Sequence, residues 1–335
     1  MAGQLAARCR QLLSSHTVPA LLPSSAHCRQ QAAGFSSRPP AQVFYTEIGA
    51  TQKLAPFVWK PVAFCVGTSA AAFALAAAAS NERERSASDM DRLRQRLGLH
   101  SPGRRSPEWV QSLPFGLRQG AEELHARWTE LRPSVRVVLS VIGVNTGVFL
   151  LWRVPLLRGF CNRYLMQALP PQHTRPVTML TSNFSHSSLL HLGINMLAFW
   201  GFGNAMAQEL GAEQFLAFYV SAGMASSAAS LLGRLRQGSR GGWSLGASGA
   251  VYACFAASAM LYPDRKAVLI FLPDVPIAMS TLLPCMMGLD ALGAILRWRY
   301  LDHLGHLGGA LFGVAYASFG IGLWERWCAR RLRDG

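Results

Sequence analysis

What most limits the fold of this 335-residue chain is a succession of apolar runs, several reaching the roughly 20 residues that span a bilayer as helix. The first, Pro61–Ser80, is alanine-rich and flanked by Lys60 and Arg83. Six more run Val137–Val154, Ser188–Met206, Gln214–Leu235, Ser248–Leu261, Ile277–Leu296 and Leu307–Trp324. Lipid offers the backbone no hydrogen-bond partner, so repeated crossings by such runs must be helical. Only 15% of the residues are charged, where about a quarter is usual in soluble domains. The reading is an all-α polytopic membrane protein: one extra N-terminal transmembrane helix, then a core of six. The run at Ser248 is short for a span, so the glycine-rich stretch 238–247 is expected to dip into the membrane under cover of protein. No internal repeat is evident, which argues against a transporter built from duplicated halves.

The formal net charge of +15 does not point to nucleic acid. The basic residues are dispersed over termini and loops, with no aromatic–basic array or zinc-finger spacing. Residues 1–46 carry Arg8, Arg10, Arg29 and Arg38 and no acid, the composition of a mitochondrial presequence, with cleavage expected near Phe35-Ser36-Ser37. Residues 47–60 then form a matrix-side segment, 61–80 the extra span, 81–133 a polar linker with surface helix near 119–131, 134–325 the core and 326–335 a basic tail. Loops around Arg158, Arg163, Arg175, Arg236 and Arg240 carry no acid. They should stay on the unexported side, which puts the N-terminus in the matrix and the C-terminus in the intermembrane space of the inner membrane. Seven cysteines, an odd number without a CxxC pair, suggest neither a disulfide framework nor a metal site. No cofactor is expected.

The candidate chemistry lies in two short motifs. Gly246-Ala247-Ser248-Gly249 opens one apolar helix, and His306 stands 58 residues later in Gly305-His306-Leu307-Gly308-Gly309. Serine is a weak nucleophile until a neighbouring base takes its proton, and His306 is the candidate base. Gly249, Ala253 and Ala257 form a small-residue ridge on one helix, and Gly305, Gly309 and Gly313 on the other. Such ridges let helix backbones approach closely in lipid. An oxyanion would need donors. His191 and Asn195, four apart on one helix face, are candidates together with backbone N–H groups near Ser248.

A GxSG at the start of one span, a histidine before a glycine-rich span and HxxxN on an earlier span resemble the rhomboid intramembrane serine proteases. The extra first span and the presequence resemble the mitochondrial branch of that family. The resemblance covers about 135–325 well and 45–80 loosely, and no catalytic position departs from the family pattern. It implies a metal-free, ATP-independent Ser–His dyad protease. Its partners would be the lipid bilayer and single-pass membrane proteins, cut within or near their spans, including mitochondrial proteins that govern mitophagy and cell death. It also implies that Tyr252 packs its ring on His306.

Other readings are a catalytically inactive rhomboid-like client binder and a small-solute transporter. A fluorophosphonate probe and a flux assay, respectively, discriminate them. Asp290 reads as a hydrogen-bonded group inside the bundle, the alternative being that it tunes a gate or a proton. His186 and His303 read as loop residues within reach of water, with His303 the rival for the base.

Overall fold

The computed structural model describes residues 55–97, 106–169, 175–237, 242–270, 272–298 and 301–334. The presequence reading of 1–46, the segment to residue 54 and part of the glycine-rich stretch, 238–241, lie outside the described residues.

Helix α1, Ala55–Leu97, contains the first apolar run but continues 17 residues beyond Ser80. Polarity marks where lipid ends, not where a helix ends. Glu82, Arg83, Glu84 and Arg85 are good helix formers, and no glycine or proline follows until Gly98. The polar linker is therefore largely helical: α1 is followed by α2, Glu108–Gln111, and α3, Phe115–Glu130. The exposed ion pairs Arg118–Glu122 and Arg127–Glu123 have the i,i+4 spacing that favours helix slightly.

Helix α4, Pro133–Leu151, starts on a proline, whose missing N–H is no loss at the first helical position. A loop with α5, Arg158–Tyr164, and strand β1, Gln167–Leu169, leads to α6, Thr178–Thr181. Next come α7, Leu189–Ala198, and α8, Asn204–Leu210, joined through the π-turn Phe199–Gly203. Gly211, at φ +77°, reverses the chain into α9, Ala212–Arg236. After β2, Gly242–Ser244, the chain forms α10, Ser248–Leu261, then strands β3, Lys266–Leu269, and β4, Leu272–Ala278. It ends with α11, Met279–Ile295, α12, His303–Ala315, the π-turn Tyr316–Gly320, and α13, Ile321–Asp334.

Among the described residues, four helical stretches are long and apolar enough to cross a membrane: Val58–Met90, Pro133–Leu151, Ala212–Arg236 and His303–Arg330. Ser248–Leu261 and Met279–Ile295 are shorter apolar helices. The structure is mostly helical, in keeping with the all-α expectation, and the described residues add two short antiparallel strand pairs. β1 pairs with β2, Gln167 opposite Ser244, and β3 with β4. Helix was expected from Ile277, but Ile277 and Ala278 pair with Ala267 and Lys266 of β3, so the chain stays extended to Ala278.

Helix α9 is central, with Phe215, Phe218 and Tyr219 on it fully buried beside Phe199 and Met206. Phe218 meets Tyr316 at 4.9 Å between ring centroids. Helix α1 lies along α9, where Arg83 pairs with Glu213 at 2.9 Å, and its Phe73 stacks on Tyr316 after α12 at 5.6 Å.

Candidate active site

Helix α12 packs against both α9 and α10 because glycine faces each of them. A Cβ on Gly309 would fall on the Gly249 carbonyl, and one on Gly313 on the Ala253 carbonyl. One on Gly308 would strike the Ala229 methyl and come within 3.1 Å of the Ala225 carbonyl oxygen. The two ridges read from the sequence thus interlock at Gly249·Gly309 and Ala253·Gly313. Gly305 instead faces Ser226 of α9 and Asp302. Sequence reasoning missed the third small-residue face, Ala225, Ser226 and Ala229 on α9, although its spacing was visible.

This packing brings Ser248 Oγ to 2.9 Å from His306 Nε2. Ser248 is the first residue of α10, where the amide N–H groups have no partner within the helix, and His306 lies at the end of the first turn of α12. The Tyr252 ring stands edge-on to the His306 imidazole at 5.9 Å and 75°. On the far side of the imidazole, Nδ1 is 3.4 Å from Asp290 Oδ1 on α11. The same oxygen lies 2.7 Å from His303 Nδ1. Sequence reasoning read Asp290 as a bundle hydrogen-bonding group and did not connect it with His306. The only sequence signal was an acid within an apolar run.

His191 sits near the start of α7, whose N-cap Ser188 accepts from the His191 amide at 3.1 Å. Its imidazole faces Gly246: a Cβ there would lie 3.0 Å from Nε2 and 3.8 Å from Ser248 Oγ. Gly246 is held at φ +134°, a conformation that favours glycine, by its amide donating to the Ser182 carbonyl at 2.9 Å. Asn195 is placed differently. Its side-chain amide donates to the His191 carbonyl at 2.9 Å, within its own helix rather than toward Ser248. Of the two candidate donors, the structure brings His191 beside the serine's loop and leaves Asn195 one turn away.

The expectation that His186 and His303 reach water is corrected, since both are buried. His186 lies beneath the nucleophile's loop, accepting from the Ala247 amide at 3.5 Å, with its ring 4.9 Å from that of His191. Burial, and then the neighbouring His191, push its pKa down to about 4, against a smaller opposing effect of its backbone hydrogen bond at Phe184. His303 is enclosed by Asp290, Gly293 and Trp298, with its Nε2 unpartnered. Among the described residues no three His, Cys, Asp or Glu side chains are grouped to hold a metal ion.

A serine and a histidine in contact at the starts of two closely packed apolar helices define a class, a helical membrane-protein bundle with a Ser–His pair at its helix ends. Residues 173–322 match the Rhomboid domain model, and the chain is similar over most of its length to rhomboid-like proteins. It is 36% identical over 262 residues, 78% of its length, to the mitochondrial presenilin-associated rhomboid-like protein of Homo sapiens. It spans 66% of that relative, just under two thirds. To the mitochondrial presenilin-associated rhomboid-like protein A of Danio rerio it is 38% identical over 193 residues, 58% of this chain and 50% of the relative. To the mitochondrial Rhomboid protein 1 of Saccharomyces cerevisiae it is 35% identical over 199 residues, 59% and 57% of the two chains.

Proposed function

We propose that this chain is an intramembrane serine endopeptidase that cuts single-pass proteins of the mitochondrial inner membrane within or near their spans. The observation that carries the reading is the 2.9 Å contact between Ser248 Oγ and His306 Nε2. His306 takes the serine proton as Oγ attacks the scissile carbonyl, and returns it to the leaving amine. Asp290, behind Nδ1, favours the tautomer whose Nε2 is free to accept. The tetrahedral oxyanion lies against the N-terminus of α10, where free backbone N–H groups and the positive end of the helix dipole favour negative charge, with His191 as a further donor. Water then releases the acyl-enzyme by the same base. A substrate helix must unwind locally to present its carbonyl, so helix-weakening residues are expected near the cut.

The mitochondrial setting rests on the relatives' names and on the acid-free N-terminus. The family resemblance extends it to substrates that govern mitophagy and cell death. One helix plus a core of six, with the N-terminus in the matrix and the C-terminus in the intermembrane space, is the topology we propose. Protease protection of mitoplasts carrying terminal tags tests it, and a C-terminal tag that survives would overturn the orientation. The activity is tested in proteoliposomes against a panel of inner-membrane single-pass segments. Wild type should cleave and take up a fluorophosphonate probe, and Ser248→Ala should do neither. Cleavage by purified Ser248→Ala would remove the mechanism. A wild type that neither cleaves nor labels would leave a client-binding protein.

A further inference from the structure

We propose that Asp302 is a positioning residue that clamps the nucleophile's loop to the base's helix and so sets the Ser248–His306 contact. This rests on reading those two residues as the catalytic pair. Asp302 precedes His306 by four residues, and Ser244 precedes Ser248 by four. One carboxylate oxygen, Oδ2, accepts from Ser244 Oγ at 2.5 Å, Ser230 Oγ at 2.6 Å and Arg234 Nη2 at 3.1 Å. The other, Oδ1, accepts from the Gly305 amide at 3.2 Å. A single carboxylate therefore touches β2, α9 and the start of α12. Arg234 adds a second hold on β2, donating from Nη1 to the Trp243 carbonyl at 2.8 Å.

The lever arms are short. The Asp302 carbonyl accepts from the His306 amide at 2.9 Å, so base and clamp share one helical turn. From Ser244 the chain reaches Ser248 through Leu245, Gly246 and Ala247, with Gly246 pinned to Ser182. Capping α12 does not explain this arrangement. A cap needs one side-chain oxygen, and Oδ1 already meets the Gly305 amide. The Oδ2 contacts reach outward to two other elements. Arg234 and Asp302 are about one-fifth exposed, and a partly buried ion pair is weak evidence of stabilisation but a good means of fixing one geometry. Burial would raise the Asp302 pKa, but Arg234 and the donated hydrogen bonds outweigh it and hold the carboxyl below its ordinary value. The side chain therefore stays an acceptor for all four donors at neutral pH.

The test separates clamp from scaffold by comparing two serines on one oxygen. Ser244→Ala cuts only the bond to the nucleophile's loop, and Ser230→Ala only a bond to α9. In proteoliposomes, Ser244→Ala should lower kcat about tenfold with KM within twofold, and slow fluorophosphonate labelling of Ser248 in parallel. Ser230→Ala should keep kcat within threefold. Asp302→Asn retains an oxygen for the Gly305 amide but sets an NH2 in place of Oδ2, which opposes the Arg234 donor and removes the acceptor the two serines share, and should lower kcat on the order of 10²-fold, the scale of a 1 Å misplacement. Equal losses in the two serine variants, tracking thermal stability, would overturn the clamp. So would wild-type kcat in Ser244→Ala, which also decides the matter if Asp302→Asn does not fold. Ser248→Ala is run alongside. If it cleaves normally, the protease reading and the clamp both fall, whereas an inactive Ser248→Ala beside a fully active Ser244→Ala removes the clamp alone.

Discussion

Gly309→Ala should disable this protein by adding one methyl group. The new Cβ would overlap the Gly249 carbonyl oxygen and lie 2.7 Å from its carbon and 3.0 Å from its Cα. Non-bonded carbons sit comfortably at about 3.5–4.0 Å, so α12 must withdraw from α10 by roughly 1 Å. His306 stands one turn before Gly309 on the same rigid helix and moves with it. Lengthening the 2.9 Å contact between Ser248 and His306 by that amount gives about 4 Å, beyond hydrogen-bonding distance. A displacement of this size costs on the order of 10² in rate. Gly309→Leu should be worse. A control is Gly147→Ala on α4, where an added Cβ meets nothing within 4 Å and the helix should gain about 0.5–1 kcal/mol. The assay is kcat on a transmembrane substrate in proteoliposomes, with fluorophosphonate labelling rate and thermal stability measured on the same preparations. A Gly309→Ala protein with wild-type kcat and labelling would show that the ridge contact does not set the dyad geometry.

Asp290→Asn should lower kcat roughly tenfold with little change in KM. Its effect should stay far below the roughly 10⁴ seen when a tightly bonded triad carboxylate is replaced, because its contact with His306 is 3.4 Å; an unchanged kcat would leave Asp290 to His303 alone. His191→Ala should cost on the order of 10²–10³ in kcat, as for loss of an oxyanion donor, and Asn195→Ala less, since its amide is engaged within its own helix; the reverse order in paired kinetics would exchange their roles. For His186 the folded pKa of about 4 lies below the ordinary 6.5, so the unfolded chain takes up the proton first. Stability is then full above about pH 6.5 and is lost progressively down to about pH 4, by on the order of 3 kcal/mol. His186→Gln should flatten that part of a stability–pH curve, and an unchanged curve would refute the assignment.

Much of the site was legible in the residues because its elements are local. Apolar runs announce helices, and glycines at i, i+4, i+8 announce a face where backbones can meet. The contact of Ser248 with His306 followed from two such faces flanking the two residues. Helix ends were less legible, since hydropathy reports the solvent around a helix and not its hydrogen bonding. Thus α1 runs past Ser80, and pairing with β3 holds the chain before α11 extended.

By itself the sequence determined a helical chain with spans, small-residue ridges and the chemistry available at their ends. Only the tertiary structure decided which polar groups meet. Asp290, His303 and His306 come from two helices, and the Asp302 cluster joins β2, α9 and α12. His186 lies under a loop 61 residues away in sequence. No periodicity encodes these contacts. They depend on how three helices seat on one another, and in a low-dielectric interior a polar group's role is set by the partner that packing brings to it.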